Sequence, residues 1–91
     1  MKKPKGERRN DRSSRTLILI LLEGEHGIIS HDLLEFFDNI SLDCASGILL
    51  RLRRHYYVRR VKEIQRQGGI RYRYFITPNG INRLRWLFSD S

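Results

Sequence analysis

The sequence predicts one small α+β domain, with elements in the order helix, short strand, helix, helix, β-hairpin, helix. Apolar residues recur at helical spacing in the first half of the chain, alternate along Ile70–Thr77, and return to helical spacing after Pro78. The chain has 91 residues, which is enough for one hydrophobic core and too few for two. We find no internal repeat.

The first predicted helix covers Thr16–Glu23, with Ser13 or Ser14 as its cap. Its apolar residues lie all round the circumference, so more than one neighbouring element must cover it. The last helix, from the same chain or from a partner, can provide the second cover. Gly24–Gly27 interrupts the pattern, and Ile28–Ile29 predicts a very short strand.

Two capped helices follow. Ser30 is predicted to cap the second helix, with Asp32 in its first turn, where a carboxylate suits the helix dipole. Ser41 is predicted to cap the third helix, Leu42–Arg54. The periodicity of the third helix directs one face inward: Ala45, Ile48, Leu49 and Leu52. Two capped helices joined by a short turn have the pattern of a helix-turn-helix.

Residues 58–77 predict a basic β-hairpin. Gln67–Gly69 supplies the turn, and Ile70–Thr77 alternates regularly, as one strand of a hairpin does. The first strand alternates less regularly, so we expect a twist or a bulge in it. Thr77 and Pro78 then open the last helix with a capping residue and a proline at the first helical position.

Charge is divided unevenly along the chain, whose net charge is +8. Residues 1–15 contain seven Lys or Arg against two acids, and residues 16–50 contain six acids and no Lys or Arg. Residues 51–85 contain eleven Lys or Arg against Glu63 alone. We interpret residues 1–15 as a flexible basic arm, with a solvated tail of no function as the alternative, and residues 16–88 as the folded domain. The division predicts a basic side that fits a polyanionic partner.

Other classes of protein have little support. The single cysteine, Cys44, predicts no internal disulfide and a reducing cytoplasmic location. Its thiol is predicted to be packed, with a redox switch as the alternative if the thiol is exposed. The apolar run Leu17–Leu22 is too short to span a bilayer. The spacing of Cys44 and the three histidines matches no common zinc pattern. No phosphate loop, carboxylate pair or nucleophile motif stands out, so we expect no enzyme, no cofactor and no small-molecule ligand.

Two motifs carry a resemblance to a known family. The end of the third helix reads Leu49-x-x-Leu52-x-x-x-Tyr56-Tyr57-Val58, and the start of the last helix reads Tyr74-Phe75-Ile76-Thr77-Pro78-Asn79-Gly80. In this order, with a glycine turn between them, they resemble the winged helix-turn-helix of small MarR-like and PadR-like archaeal and bacterial regulators, over residues 16–88. Those proteins usually have glycine where this chain has Tyr56, so we expect the third helix to end differently or to run longer.

The resemblance implies a transcriptional regulator that binds double-stranded DNA with sequence preference. Residues 42–54 would enter the major groove as the recognition helix, and residues 58–77 would form a wing along the flanking backbone or minor groove. Asp43 and Gly47 on the exposed face predict weak direct readout, whereas Leu50 suits contact with a thymine methyl group. The candidate DNA-binding residues are Ser41, Ser46, Gly47, Leu50, Arg51, Arg53, Arg54, Arg59, Arg60, Lys62, Arg66, Gln67, Arg71 and Arg73.

Two alternatives stay open at this point. The winged helix can serve protein contacts alone, with its arginines facing acidic partners. An RNA-binding protein is a further possibility, although Tyr72 and Tyr74 alternate toward the core instead of forming an exposed stacking platform. The all-round apolar first helix, together with Trp86 and Phe88, predicts a homodimer through the first and last helices, with a monomer as the alternative.

Overall fold

The computed structural model describes residues 11–89 and has an α+β architecture, with four α-helices and one two-stranded antiparallel sheet in that range. The elements are α1 (Arg12–Glu23), a 3-10 turn (Gly24–His26), α2 (Ser30–Phe36), α3 (Leu42–Arg54), β1 (Val58–Ile64), β2 (Ile70–Ile76) and α4 (Pro78–Leu87). None of the helices in this range has the length and apolar character needed to cross a membrane.

α1 begins at Arg12, four residues before the predicted start at Thr16. The cap is Asp11, whose Oδ1 accepts a hydrogen bond from the backbone N–H of Ser14 at 2.7 Å, so the predicted serine cap is wrong. The end of the predicted flexible arm is therefore helical. The rest of that arm, residues 1–10, lies outside the described residues.

The connection from α1 to α2 differs in detail from the prediction. The expected strand is a single antiparallel bridge, in which Ile28 and Tyr74 exchange backbone hydrogen bonds of 3.0 and 2.7 Å. Ser30 is the first residue of α2 and not its cap, which is Ile29. The backbone N–H of Ile29 donates to Oδ2 of Asp32 at 2.9 Å. The carboxylate of Asp32, in the first turn, thus caps the start of α2 in place of the predicted serine hydroxyl.

The prediction for α3 is confirmed in both its bounds and its buried face. Oγ of Ser41 accepts from the backbone N–H of Cys44 at 3.1 Å and caps the helix. The buried residues of α3 are Ala45, Ile48, Leu49 and Leu52. The other apolar residues of the core are Leu17, Ile20, Ile28, Leu33, Phe37, Val58, Tyr74, Leu84 and Leu87. All the helices and the base of the hairpin therefore share one core.

Tyr56 ends α3 in the way that a glycine usually does. Its φ is 60°, in the left-handed region, so the expectation of a different or longer helix end is wrong. The N–H of Tyr56 donates to the carbonyl of Arg53, and the N–H of Tyr57 donates to the carbonyl of Leu52, which are the two bonds of a Schellman motif. The left-handed conformation costs a non-glycine residue about 1–2 kcal/mol. This part of the chain therefore carries backbone strain that a glycine would not.

β1 and β2 pair without interruption, from Val58 opposite Ile76 to Ile64 opposite Ile70. Of the two predicted irregularities, a twist or a bulge, the bulge is therefore wrong. Val58 is buried and Ile64 is exposed, because only the base of the hairpin reaches the core. The outer part of β1 therefore has no buried face that would require strict alternation. The turn is Gln65–Gly69, and both of its glycines have positive φ, 78° and 92°.

The start of α4 is joined to the end of α3, and its predicted cap is confirmed. Oγ1 of Thr77 accepts from the N–H of Gly80 at 3.1 Å, with Pro78 at the first helical position. The same hydroxyl donates to the carbonyl of Tyr56 at 2.6 Å, and the N–H of Thr77 donates to the carbonyl of Tyr57 at 3.0 Å. These bonds hold the position of the hairpin base relative to α3.

Candidate nucleic-acid interface

The hairpin presents two faces of different chemistry. Side chains alternate along a strand, and directly paired residues lie on the same face. The inner face, toward α3, comprises Val58, Arg60, Lys62, Ile64, Ile70, Tyr72, Tyr74 and Ile76. The outer face comprises Arg59, Val61, Glu63, Arg71, Arg73 and Phe75. The predicted wing residues are therefore divided between two surfaces.

Two neighbouring clefts lie between α3 and the hairpin. The first, here called the apolar cleft after Leu42, Leu50 and Ile70 in its lining, has a volume of about 550 Å³. Polar side chains also line it, among them those of Ser46, Arg60 and Arg71. The second, here called the basic cleft, has a volume of about 620 Å³ and lies between the end of α3 and β1. Arg60 and Tyr72 line both clefts. The guanidinium of Arg60 lies 3.9 Å from the ring centroid of Tyr72, so a cation–π pair forms the boundary between them.

The described part of the chain places no acidic partner beside the positive charge of the basic cleft. Its cationic side chains are Arg53, Arg54, Arg59, Arg60 and Lys62. Within residues 11–89, no carboxylate forms an ion pair with any of these five. Arg59 lies over the ring of Phe75 at 4.7 Å, which orients its guanidinium without neutralising it. An anion entering this cleft meets several positive charges on one concave surface, where the field is concentrated.

Arg71 and Arg73 are placed differently, because both pair with Glu63 on the outer face. Nε of each arginine donates to a different oxygen of the Glu63 carboxylate, at 2.8 Å in both cases. Arg73 also donates to the carbonyl of His26 at 3.0 Å, which ties β2 to the turn after α1. The hydrogen bonds from Arg73 and Arg71 lower the pKa of Glu63, so the carboxylate stays ionised. It therefore offsets part of the charge of these two candidate residues.

Arg51 lies on the opposite side of α3 from both clefts. It lines a separate cleft of about 350 Å³, together with Ser13 of α1 and Arg83 of α4. Three further candidates lie elsewhere. Arg66 and Gln67 are exposed in the hairpin turn, and the hydroxyl of Ser41 is engaged as a helix cap. The predicted residues that the structure brings together around the two clefts are Ser46, Leu50, Arg53, Arg54, Arg59, Arg60, Lys62 and Arg71. Of these, Arg71 is also paired with Glu63.

Sequence reasoning missed several cleft residues. Leu42, Tyr56, Ile70 and Tyr72 all line the clefts and were not among the candidate residues. Alternation assigned Tyr72 to the same face as Tyr74, which is correct, but Tyr72 lies beyond the edge of the core and is only half-buried. No local sequence signal marks where along a hairpin the core ends, because that depends on the elements packed beneath it.

Three acidic side chains gather on another part of the molecule. Glu23, Asp32 and Glu35 line a cleft of about 340 Å³ between α1 and α2, which includes no residue of the hairpin. Cys44 is exposed, so the expectation of a packed thiol is wrong. In the described part of the chain, no three His, Cys, Asp or Glu side chains come together as a metal site requires.

Comparison with known proteins adds no functional assignment. No protein-family model matches the chain, and no curated protein matches it in sequence. The charge and geometry of the two clefts therefore carry the functional conclusion.

Proposed function

We propose that the chain is a winged helix-turn-helix protein that binds double-stranded DNA, acts as a transcriptional regulator in the cytoplasm, and has no catalytic activity. In this proposal α3 is the recognition helix in the major groove, and the hairpin of β1 and β2 is the wing on the flanking backbone or minor groove. The basic cleft carries the proposal, because it gathers between these two elements five cations that form no ion pair with any residue from 11 to 89. Phosphate contacts of this kind provide most of the affinity of a DNA-binding surface and position the protein on the duplex.

The arrangement of aromatic side chains favours a duplex over a single strand. Proteins that bind single strands stack successive bases on exposed aromatic rings. Here Arg60 covers Tyr72, Arg59 covers Phe75, and Tyr74 is buried. Among the aromatic residues that line the two clefts, only Tyr56 is largely exposed. A single ring does not make a stacking platform, so the charge of the cleft is better suited to a phosphate backbone.

A salt titration tests the proposal directly. We expect the affinity for duplex DNA to fall with salt, with a log–log slope of about −0.9 for each phosphate contacted, or about −4 if most of the five cations take part. Fluorescence anisotropy would compare a labelled duplex, a single strand of the same sequence and a structured RNA over a range of salt concentrations. Salt-independent binding, or a preference for the single strand or the RNA, would argue against the proposal. Failure to bind any nucleic acid would favour the protein-contact alternative.

We also infer that the protein binds DNA as a homodimer through α1 and α4. Leu21 and Leu22 at the end of α1 are exposed, and an exposed apolar patch favours a protein contact. A two-fold dimer would present two α3 helices to half-sites about 34–36 Å apart, which is one turn of DNA. The expected mass from sedimentation equilibrium at micromolar concentration is twice the chain mass of 10.9 kDa. A mass of one chain would exclude this dimer.

A further inference from the structure

The exposed face of α3 carries two large apolar side chains before it becomes basic. Leu42 and Leu50 are 43% and 41% exposed, although both are large apolar residues. Gly47 lies between them in the sequence, and a Cβ added there would meet no atom within 4 Å. Lys and Arg are absent from α3 until Arg51. The first turns of α3 therefore lack the long hydrogen-bonding side chains that usually read base edges.

The apolar cleft extends this surface to the hairpin. Its opposite wall includes Ile70, which is 55% exposed, and the side chain of Tyr72. No carboxylate of the described residues lines this cleft. Arg60 belongs to both clefts, so a duplex held by the basic cleft continues over the apolar one. The apolar surface and the proposed phosphate contacts are therefore parts of one interface.

We propose that Leu42 and Leu50 bind the C5-methyl groups of thymine in the major groove, so that the preferred target is an A·T-rich duplex. This inference rests on the proposed function. Thymine is the only one of the four bases that presents a methyl group in the major groove, and apolar side chains are its natural contacts. The exposed carboxylate of Asp43, next to Leu42 in the first turn of α3, repels phosphates. This leaves base edges as the groups that this end of α3 approaches.

Replacing thymidine with deoxyuridine removes the methyl groups and leaves every base-pair hydrogen bond in place. We expect the affinity for an A·T-rich duplex to fall about fourfold for each methyl group that the protein buries. A G·C-rich duplex provides the converse test, because 5-methylcytosine carries a methyl group at the corresponding ring position. Methylation of its cytosines is expected to raise the affinity. The slope of affinity against salt should stay the same in every case, since the phosphates are unchanged.

Leu50→Ala is expected to retain only the part of the preference for thymidine that Leu42 provides, because Leu42 is unchanged in this variant. Val61→Ala is the matched control. The exposed fraction of Val61, 42%, is nearly that of Leu50, and Val61 lies on the outer face of the hairpin away from the apolar cleft. It should keep the full preference for thymidine. Thermal melting of both variants would establish that they are folded.

Two results would overturn the inference. One is equal affinity of the unmodified protein for the thymidine and deoxyuridine duplexes, and the other is full discrimination by a folded Leu50→Ala variant. In both cases duplex binding survives, so the proposed function stands. Absence of binding to every duplex would reject the proposed function itself, and this inference with it.

Discussion

Substitution of Gly80 by alanine is expected to destabilise the fold by about 3 kcal/mol or more. A Cβ at this position would overlap the carbonyl oxygen of Tyr57 and lie 2.8 Å from Cγ1 of Ile76. The Tyr57 carbonyl cannot move freely, because it accepts the N–H of Thr77 at 3.0 Å. The methyl group would therefore push α4 away from the end of α3 and open the core between them.

Gly47→Ala is the matched control for this substitution. Gly47 lies in the middle of α3, is exposed, and has no atom within 4 Å of the added Cβ. We expect it to stabilise the protein by about 0.5–1 kcal/mol, because alanine loses less conformational entropy than glycine in a helix. Urea unfolding followed by circular dichroism measures both changes. Equal stability of Gly80→Ala and the unmodified protein would contradict the close approach of α4 to Tyr57.

The second large effect is expected in DNA affinity. The triple variant Arg53→Ala, Arg54→Ala, Lys62→Ala removes three exposed cations of the basic cleft that form no ion pair within residues 11–89. Its affinity for duplex DNA should fall about 100-fold or more at low salt, because each of these cations would make a charge-assisted hydrogen bond to phosphate. The salt slope should become shallower by about 2.7, which is 0.9 for each phosphate that is no longer neutralised. The melting temperature should change little, since these side chains leave no partner unpaired.

A comparison of two single variants separates the effect of the basic cleft on DNA binding from the effect of net charge. Arg54 and Arg85 are both exposed arginines in the last turn of a helix, α3 and α4 respectively. Their replacement by alanine changes the net charge equally and affects the helix ends similarly. Arg54→Ala should make the salt slope shallower by about 0.9, whereas Arg85→Ala should leave it unchanged. Equal effects of the two substitutions would show that overall charge, and not the basic cleft, governs binding.

Several elements could be predicted to within a residue because their signals are local. Ser41, the periodic apolar residues of α3 and the pair Thr77 and Pro78 each act within a few positions of the chain, and the structure has the helix starts they predict. The start of α1 was harder to predict from the sequence, because Asp11 and two nearby serines can all act as caps. Choosing among them depends on which side chain reaches a free backbone N–H.

The end of α3 shows the limit of residue preference. Tyrosine disfavours the left-handed conformation, so sequence reasoning expected the helix to continue past Tyr56 or to end in another way. The carbonyl of Tyr56 accepts the hydroxyl of Thr77, and the carbonyl of Tyr57 accepts its N–H. Both contacts come from Thr77, about twenty positions further along the chain, and hold the chain in the strained conformation.

The amino-acid sequence alone determined the α+β class, the order of the helices and strands, the buried face of α3 and the separation of acidic from basic segments. Helix periodicity, strand alternation and charge are properties of neighbouring residues, so they can be read along the chain. Only the tertiary structure decided which cations lie beside α3 without an ion pair among the described residues, because it paired Arg71 and Arg73 with Glu63 and turned Arg51 to the other side. Such pairings depend on strand register and helix packing, which bring together residues that the sequence keeps apart.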